Sequence, residues 1–149
     1  MPIRYTHTNI ICQDWRRVAA FYQDIFGCIS VPPQRDQKGE WLDQGTGLMN
    51  AHLQGVHLRL PGHGDNGPTL EIYSYAEMQD KPASVANRKG FGHIAFLVDD
   101  VAAILEAVLK AGGSKIGELS QTLVPGVGQL TFIYMADPEG NILEIQNWS

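Results

Sequence analysis

Gly140-Asn141-Ile142-Leu143-Glu144-Ile145 is the stretch that decides how the rest of the chain is organised. A similar string, Gly67-Pro68-Thr69-Leu70-Glu71-Ile72, occurs in the first half of the chain. In both strings a glutamate stands between two large apolar residues in a predicted β-strand, where side chains alternate between the two faces of a sheet. One glutamate in such a position carries little information, but two copies indicate an internal repeat.

The repeat extends to the start of each half of the chain. His7-Thr8-Asn9-Ile10-Ile11-Cys12-Gln13-Asp14 aligns without a gap on His93-Ile94-Ala95-Phe96-Leu97-Val98-Asp99-Asp100. At the same offset, Gly27 aligns with Gly113. The chain is therefore predicted to contain two modules, each of which begins at a histidine and ends at a glutamate.

The composition is that of an ordinary globular protein. Of the 149 residues, 44% are hydrophobic and 18% are charged, which is enough apolar material for a buried core. The net charge of −5 is spread along the chain and argues against a nucleic-acid surface, which requires clustered Lys and Arg. No apolar run approaches the roughly 20 residues of a membrane helix, and no signal-peptide pattern follows Met1-Pro2-Ile3-Arg4. We expect a cytoplasmic protein without a membrane partner.

The two cysteines, Cys12 and Cys28, fall in one module and have neither metal-type spacing nor a secretory context. They are predicted to be reduced, buried and structural, with a disulfide as the alternative.

Each module is predicted to consist of a strand, an amphipathic helix and about three further strands. Asp14 and Asp100 are N-cap candidates, and each precedes apolar residues at three- and four-residue spacing. Gly27 and Gly112-Gly113 are placed to end the helices, because glycine adopts the left-handed conformation at a helix end without steric cost.

The remaining strands are predicted from alternation and turn chemistry. Val56-His57-Leu58-Arg59-Leu60 alternates, and Leu130-Thr131-Phe132-Ile133-Tyr134-Met135 is rich in β-branched and aromatic residues. Asp137-Pro138-Glu139-Gly140 fits a turn into the strand of Glu144. The rest of residues 29–66 is polar and turn-rich. We predict a single α+β domain with the helices against one face of the sheet, made of module 1 (about 1–77), a linker (about 78–92) and module 2 (about 93–149).

Four residues occupy matching ends of the two modules: His7, Glu71, His93 and Glu144. A pseudo-twofold arrangement of the modules would bring them together, and two imidazoles with two carboxylates suit a first-row divalent ion completed by water. Singly, each residue has an ordinary explanation, because a strand histidine is more often a hydrogen-bonded core residue and a strand glutamate often faces solvent. For all four residues, however, that explanation requires a histidine and a glutamate to occur by chance at the same two positions of both modules. We therefore predict a metal site.

These features resemble the vicinal oxygen chelate superfamily, which includes glyoxalase I, methylmalonyl-CoA epimerase, extradiol dioxygenases and the fosfomycin and bleomycin resistance proteins. The resemblance covers nearly the whole chain. It rests on the strand histidine, the Asp-capped helix ending near Phe21-Tyr22 and Phe26-Gly27, Gly90-Phe91-Gly92-His93, and Asp137-Pro138-Glu139-Gly140-Asn141 leading into Leu143-Glu144. It implies paired βαβββ modules in a cupped, barrel-like mixed sheet of eight strands with the helices outside, commonly in a homodimer.

The resemblance also implies the metal ligands, which fall on His7, Glu71, His93 and Glu144. In this family the extradiol dioxygenases and fosfomycin resistance enzymes have a His, His, Glu triad without a carboxylate ligand at the position of Glu71, and epimerases typically have Gln there. The set with Glu71 is most like that of glyoxalase I. We expect one divalent metal ion as cofactor, which could be Ni, Zn, Co, Mn or Fe.

The predicted function is a metal-dependent, glyoxalase-like lyase or isomerase that transfers a proton next to a carbonyl of a small substrate. Glu144 and Glu71 are the candidate bases, with Glu144 as the first choice and a purely structural ligand as its alternative role. Other activities of the same fold are the competing predictions: a ring-cleaving dioxygenase, a CoA-ester epimerase or an antibiotic-binding resistance protein. Bleomycin-binding members usually lack the metal residues.

The substrate pocket is predicted from residues that share a strand face with the ligands at two-residue intervals. They are Asn9, Ile11, Tyr73, Tyr75, Ala95, Leu97, Gln146 and Trp148. In related glutathione-dependent glyoxalases an Arg four residues after the first His and an Asn four after the first Glu hold glutathione. Here Ile11 and Tyr75 stand at those positions, which favours an apolar or aromatic substrate over glutathione. The other histidines, His52, His57 and His63, are predicted to be surface residues.

Overall fold

The computed structural model describes residues 2–149; Met1, the first residue of the predicted first module, lies outside the described residues. Two compact units divide between Lys81 and Pro82. Residues 78–92, all of which are described, form neither helix nor strand and contain this boundary. Each unit has its own sheet and at least one helix.

The first unit is a four-stranded mixed sheet with two helices. Its elements are β1 (His7–Ile11), α1 (Trp15–Phe26), β2 (Ile29–Lys38), α2 (Glu40–Thr46), β3 (His52–Arg59) and β4 (Thr69–Tyr75). The strand order is β1-β4-β3-β2, with β1 parallel to β4 and the other neighbours antiparallel.

The second unit repeats this plan with one helix and five strands. Its elements are β5 (Ile94–Leu97), α3 (Val101–Lys110), β6 (Ser114–Lys115), β7 (Ser120–Val124), β8 (Gly128–Ala136) and β9 (Ile142–Trp148). The order is β5-β9-β8-β6, β7 also pairs with β8, and β5 is parallel to β9. In both units the first strand therefore pairs in parallel with the last strand, which carries the Leu-Glu-Ile segment.

The α+β class and the two βαβββ-like modules are confirmed. Residues 2–149 form nine strands in two sheets, whereas the resemblance implied eight strands in one barrel-like sheet. The additional strand is β6, whose two residues pair with the end of β8 and are too few to show a periodicity. Neither sheet closes on itself within the described part of the chain, because β1 and β5 each have a strand on one side only.

The two predicted helices and their N-caps are confirmed; α3 has Ala111 as its C-cap, and Gly112, at φ +91°, follows it. The Asp14 side chain accepts a hydrogen bond from the N–H of Arg17, and Gly27 ends α1 in the left-handed conformation at φ +69°. Asp100 caps α3 through the N–H of Ala103. α1 packs on β3 and β4, and α3 packs on β8 and β9. No helix within residues 2–149 is long and apolar enough to cross a membrane.

The core of the first unit lies between α1 and its sheet. Val18 and Tyr22 of α1 are fully buried, as are Leu70 and Ile72 of β4. Side chains alternate along a strand, so Leu70 and Ile72 lie on the face of β4 that packs on α1, and Glu71 lies on the opposite face. The charged residue within the Leu-Glu-Ile segment therefore lies on the face that the helix does not cover.

Residues 29–66 contain more regular structure than their polar sequence indicated. β2 includes Pro32-Pro33, but it is an edge strand, and its pairing with β3 is interrupted between Val31 and Arg35, where the prolines fall. α2 was not predicted, because its seven residues bury only Leu42 and are too short to show an amphipathic repeat.

The cysteine prediction is confirmed. Cys12 and Cys28, both within the described residues, are buried and form no disulfide. Burial raises the pKa of the Cys28 thiol to about 11, so this group is protonated at neutral pH.

Candidate functional site

The register of the first sheet places five side chains together on the face away from α1. His57 of β3 and Asn9 of β1 are the direct neighbours of Glu71 in β4. His7 precedes Asn9 by two residues and Tyr73 follows Glu71 by two, so alternation puts both on the same face. The sheet geometry thus surrounds one carboxylate with two imidazoles, an amide and a phenol.

Both oxygens of the Glu71 carboxylate have two polar neighbours. His7 Nε2 lies 3.1 Å from Oε1, which also accepts a hydrogen bond from Asn9 Nδ2 at 3.3 Å. Oε2 accepts a hydrogen bond from the Tyr73 hydroxyl at 2.8 Å, and His57 Nε2 lies 2.8 Å from the same oxygen. Glu71 is buried, and a buried carboxylate is tolerated only when its oxygens are hydrogen-bonded.

His57 is a member of this cluster, and its predicted place as a surface residue is wrong. Its side chain is 19% exposed, and its Nε2 also lies 2.7 Å from the Tyr73 hydroxyl. Burial lowers the pKa of His57 despite the nearby Glu71 charge, so the neutral imidazole is favoured at neutral pH. The sequence predicted β3 from its alternating apolar and polar residues. It did not predict the pairing of His57 with Glu71, because a long loop joins β3 to β4 and does not fix the register between them.

Tyr73 reaches Glu71 because its cross-strand neighbour is a glycine. A Cβ at Gly55 would lie 2.5 Å from Cδ1 of Tyr73 and 2.1 Å from the backbone oxygen of Ile72, so a larger residue does not fit. The buried ring of Tyr73 also packs in one cluster with Leu42, Ala51 and Leu53. Burial, together with the hydrogen bond to Glu71, raises the pKa of Tyr73, which therefore keeps its hydroxyl proton.

The second unit contains a simpler arrangement around Glu144. His93 Nε2 lies 3.0 Å from Oε2 of Glu144. The ring of His93 is stacked at a tilt on Tyr134, with 4.5 Å between ring centroids, and Tyr134 is the cross-strand neighbour of Glu144. A histidine and a glutamate are thus adjacent at the same place in each unit, as predicted; their role as metal ligands stays a prediction.

The surroundings of the two glutamates correspond in position but differ in chemistry. Tyr134 is the cross-strand neighbour of Glu144, as His57 is of Glu71. Ala95 corresponds to Asn9 on the parallel strand, and Gln146 corresponds to Tyr73, two residues after the glutamate. Ala95 has no polar group, and the Gln146 carbonyl accepts a hydrogen bond from Trp148 Nε1 at 2.6 Å. In the described part of the chain His93 is the one side chain hydrogen-bonded to Glu144. The Glu71 carboxylate is therefore held on both oxygens and the Glu144 carboxylate on one.

The predicted pocket residues have different surroundings. Ile11, Leu97 and Trp148 are exposed apolar side chains, whereas Tyr73 is buried with its hydroxyl on Glu71. Tyr75 is partly buried against the cluster that contains Leu42. Their contact with a substrate stays a prediction.

The donor chemistry of both units suits a divalent metal ion. Neutral imidazole nitrogen and carboxylate oxygen are ligands of first-row divalent ions. Within residues 2–149 no group of three or more His, Cys, Asp or Glu side chains is arranged to hold an ion. Each unit offers one of the predicted His–Glu pairs, which is part of a ligand set, and in the first unit His57 is a second histidine beside Glu71.

Solved structures share this fold over nearly the whole chain at low sequence identity. A glyoxalase family protein from Bacillus cereus is similar with a TM-score of 0.83 and 17% identity, covering 99% of this chain and 95% of that one. A genomically encoded fosfomycin resistance protein from Listeria monocytogenes, complexed with Mn(II) and sulfate, has a TM-score of 0.53 and 16% identity, covering 100% and 95%. A search of curated proteins found no match.

The family itself is shown by sequence. The model of the Glyoxalase/Bleomycin resistance protein/Dioxygenase superfamily matches residues 4–145, which is almost the entire chain and includes both His–Glu pairs. The match agrees with the resemblance noted from the repeat, the capped helices and the turn before Glu144. The chain belongs to the glyoxalase/bleomycin resistance protein/dioxygenase superfamily.

Proposed function

We propose that the protein is a metal-dependent, glyoxalase-like lyase or isomerase that transfers a proton at the carbon next to a carbonyl of a small substrate. The observation that carries the proposal is the recurrence of an adjacent histidine and glutamate in both units. His7 lies 3.1 Å from Glu71, and His93 lies 3.0 Å from Glu144. Proton transfer at such a carbon needs a base near an electrophilic centre, and each unit supplies a carboxylate, which can act as that base, beside a metal-type ligand.

The proposed ligands of one divalent ion are His7, Glu71, His93 and Glu144. The fosfomycin resistance protein of the same fold, which is complexed with Mn(II), supports the proposal at the level of the fold. A bound divalent ion would act as a Lewis acid for the negative charge that develops on the substrate oxygens.

The different surroundings of the two carboxylates support different roles. Glu71 would have to leave partners on both oxygens in order to move, whereas Glu144 is hydrogen-bonded to His93 alone in the described part of the chain. A general base must come within hydrogen-bond reach of the proton that it accepts. We therefore assign proton transfer to Glu144 and a fixed ligand role to Glu71.

Proton exchange in D2O tests the proposed reaction. A suitable probe is the hemithioacetal of methylglyoxal with benzyl thiol, whose carbon-bound proton next to the ketone is visible by NMR. We expect this proton to be lost in the presence of the protein and a divalent ion, and to be retained after the metal is removed with EDTA. Binding of the probe without exchange would favour a binding protein, and oxygen uptake with ferrous iron and catechol would favour a dioxygenase.

The glutathione adduct of methylglyoxal is expected to be a poor substrate. Ile11 and Tyr75 provide neither a cation nor an amide for a charged tripeptide, and a charged group that is buried without a partner weakens binding. The double variant Ile11→Arg/Tyr75→Asn is expected to raise kcat/KM for this adduct by about 10-fold, the effect of one charge-assisted hydrogen bond. Efficient turnover of the glutathione adduct by the wild type would contradict this role of the two positions and leave the metal proposal intact.

We also propose that the protein is a homodimer. β1 and β5 are edge strands, and each carries an exposed apolar side chain, Ile11 and Leu97. Exposed apolar edges are usually covered, and a twofold dimer is the commonest way for a chain to cover them with its own copy. Sedimentation equilibrium at micromolar concentration should give twice the mass of one chain; a single monomeric species would contradict the proposal.

A further inference from the structure

The two oxygens of the Glu71 carboxylate have different surroundings. One oxygen lies beside a proposed metal ligand, and the other contacts the side chains of Tyr73 and His57. Oε1 lies beside His7 Nε2, the proposed ligand, and accepts one long hydrogen bond, from Asn9 Nδ2 at 3.3 Å, which leaves a lone pair on this oxygen. Oε2 lies in a triangle with the Tyr73 hydroxyl and His57 Nε2, with separations of 2.7 to 2.8 Å between the three atoms.

The protons of this triangle can be placed by counting donors. Tyr73 has one hydroxyl proton and donates it to Oε2. His57 Nε2 faces two oxygens, Oε2 and the phenol oxygen, and both of them present lone pairs to it. Nε2 must therefore carry the imidazole proton. The other ring nitrogen, Nδ1, lies 3.4 Å from the Thr69 hydroxyl, which can donate to it. The arrangement is satisfied by a neutral imidazole, a neutral phenol and an ionised carboxylate.

Packing of the Tyr73 ring holds the phenol of this triangle in place. Gly55 leaves space for the Tyr73 ring, and Leu42 of α2 packs in the same buried cluster as that ring. The phenol is therefore held against Glu71 by packing in addition to its hydrogen bond. In the second unit the position of Tyr73 is occupied by Gln146, whose carbonyl accepts a hydrogen bond from Trp148, so among residues 2–149 Glu144 has no equivalent support.

We propose that Tyr73 and His57 are positioning residues that bind Oε2 of Glu71 and leave Oε1, beside His7, as the oxygen available to a divalent ion. The inference rests on the proposed function, since it assigns Glu71 as a ligand. It goes further in two ways: Glu71 binds the ion through Oε1 alone, and the Glu71 side chain is held too firmly to act as a base. Hydrogen-bond partners of this kind orient a ligand and raise its affinity for the metal.

The test is the affinity of the metal-free 149-residue protein for Co2+, measured by calorimetry and by the visible absorption of the bound ion. Tyr73→Phe keeps the packed ring and removes only the hydroxyl. His57→Leu removes the donor, while His57→Gln places an amide N–H near the position of Nε2. We expect Tyr73→Phe and His57→Leu to weaken Co2+ binding by about 10- to 100-fold. His57→Gln should bind within about threefold of the wild type because it keeps the donor.

His52→Leu is the matched control. His52 lies on the same strand as His57, is partly exposed and pairs with Asp36 at 2.6 Å, away from Glu71, so the same substitution there should leave Co2+ affinity unchanged. Equal affinity of the wild type, Tyr73→Phe and His57→Leu would overturn the inference while leaving the metal site intact. Co2+ binding that is weakened equally in His57→Gln and His57→Leu would also overturn it. The comparison of these two variants tests the inference even if Tyr73→Phe fails to fold. Absence of Co2+ binding to the wild type would instead remove the proposed function, and the inference with it.

Discussion

Replacing Glu144 by Gln is expected to slow proton exchange next to the substrate carbonyl by about 100-fold or more, the usual contribution of a general base. Gln keeps an oxygen that can bind a metal but cannot accept a proton at neutral pH. The variant should therefore retain most of its divalent metal while it loses exchange. The measurement is loss of the carbon-bound proton of the benzyl thiol hemithioacetal in D2O, with metal content determined on the same sample.

Glu71→Gln provides the comparison for this result. Glu71 is held on both oxygens, so its replacement is expected to disturb metal binding more than the proton-transfer step. At saturating Co2+ the Glu71→Gln protein should exchange protons faster than Glu144→Gln. Exchange that survives in Glu144→Gln and disappears in Glu71→Gln would contradict the assignment and make Glu71 the base.

Replacing His7 or His93 by Ala is expected to remove most of the stabilisation that a divalent ion gives to the folded protein. An ion present at about 100 times its Kd stabilises the folded state by about 2.7 kcal/mol. For a chain of this length that corresponds to an increase in Tm of about 5 to 10 °C. The quantity to measure is the difference in Tm with Co2+ and with EDTA, because His7 and His93 also contact glutamates in the metal-free protein.

His63→Ala is the control for both histidine variants. His63 is exposed in the loop between β3 and β4, and its replacement should leave the Co2+-dependent increase in Tm at the wild-type value. An increase in Tm that is the same in the wild type, His7→Ala and His93→Ala would show that neither histidine binds the ion.

The features that could be predicted from the sequence depend on neighbouring residues. Asp14 and Asp100 each cap a helix that follows at once, and capping involves atoms three residues apart. The turn before β9 was predicted for the same reason: the Asp137 side chain accepts hydrogen bonds from the backbone N–H groups of Glu139 and Asn141. The repeat then allowed the first unit to be interpreted from the second, which placed Glu71 in a last strand beside His7.

The features that the sequence did not reveal depend on strand register and on packing between distant residues. His57 meets Glu71 only because β3 pairs antiparallel with β4 in one register, and a shift by one residue would move it to the other face. The contact of the Tyr73 hydroxyl with Glu71 was not predicted either, because it depends on the space that Gly55 leaves for the Tyr73 ring. The repeat also suggested equivalent roles for the two glutamates, and their different neighbours became apparent only when the strands were paired.

The ratio of divalent metal to protein chain tests the central claim most directly. Chelator-stripped wild-type protein is dialysed to equilibrium against Co2+, and bound metal is measured by mass spectrometry beside His7→Ala and His93→Ala. The proposed ligand set predicts one tightly bound ion per chain in the wild type and a clearly lower ratio in each variant. Wild-type protein that retains no divalent ion, or variants that retain as much as the wild type, would contradict the assignment of His7, Glu71, His93 and Glu144 as the metal ligands.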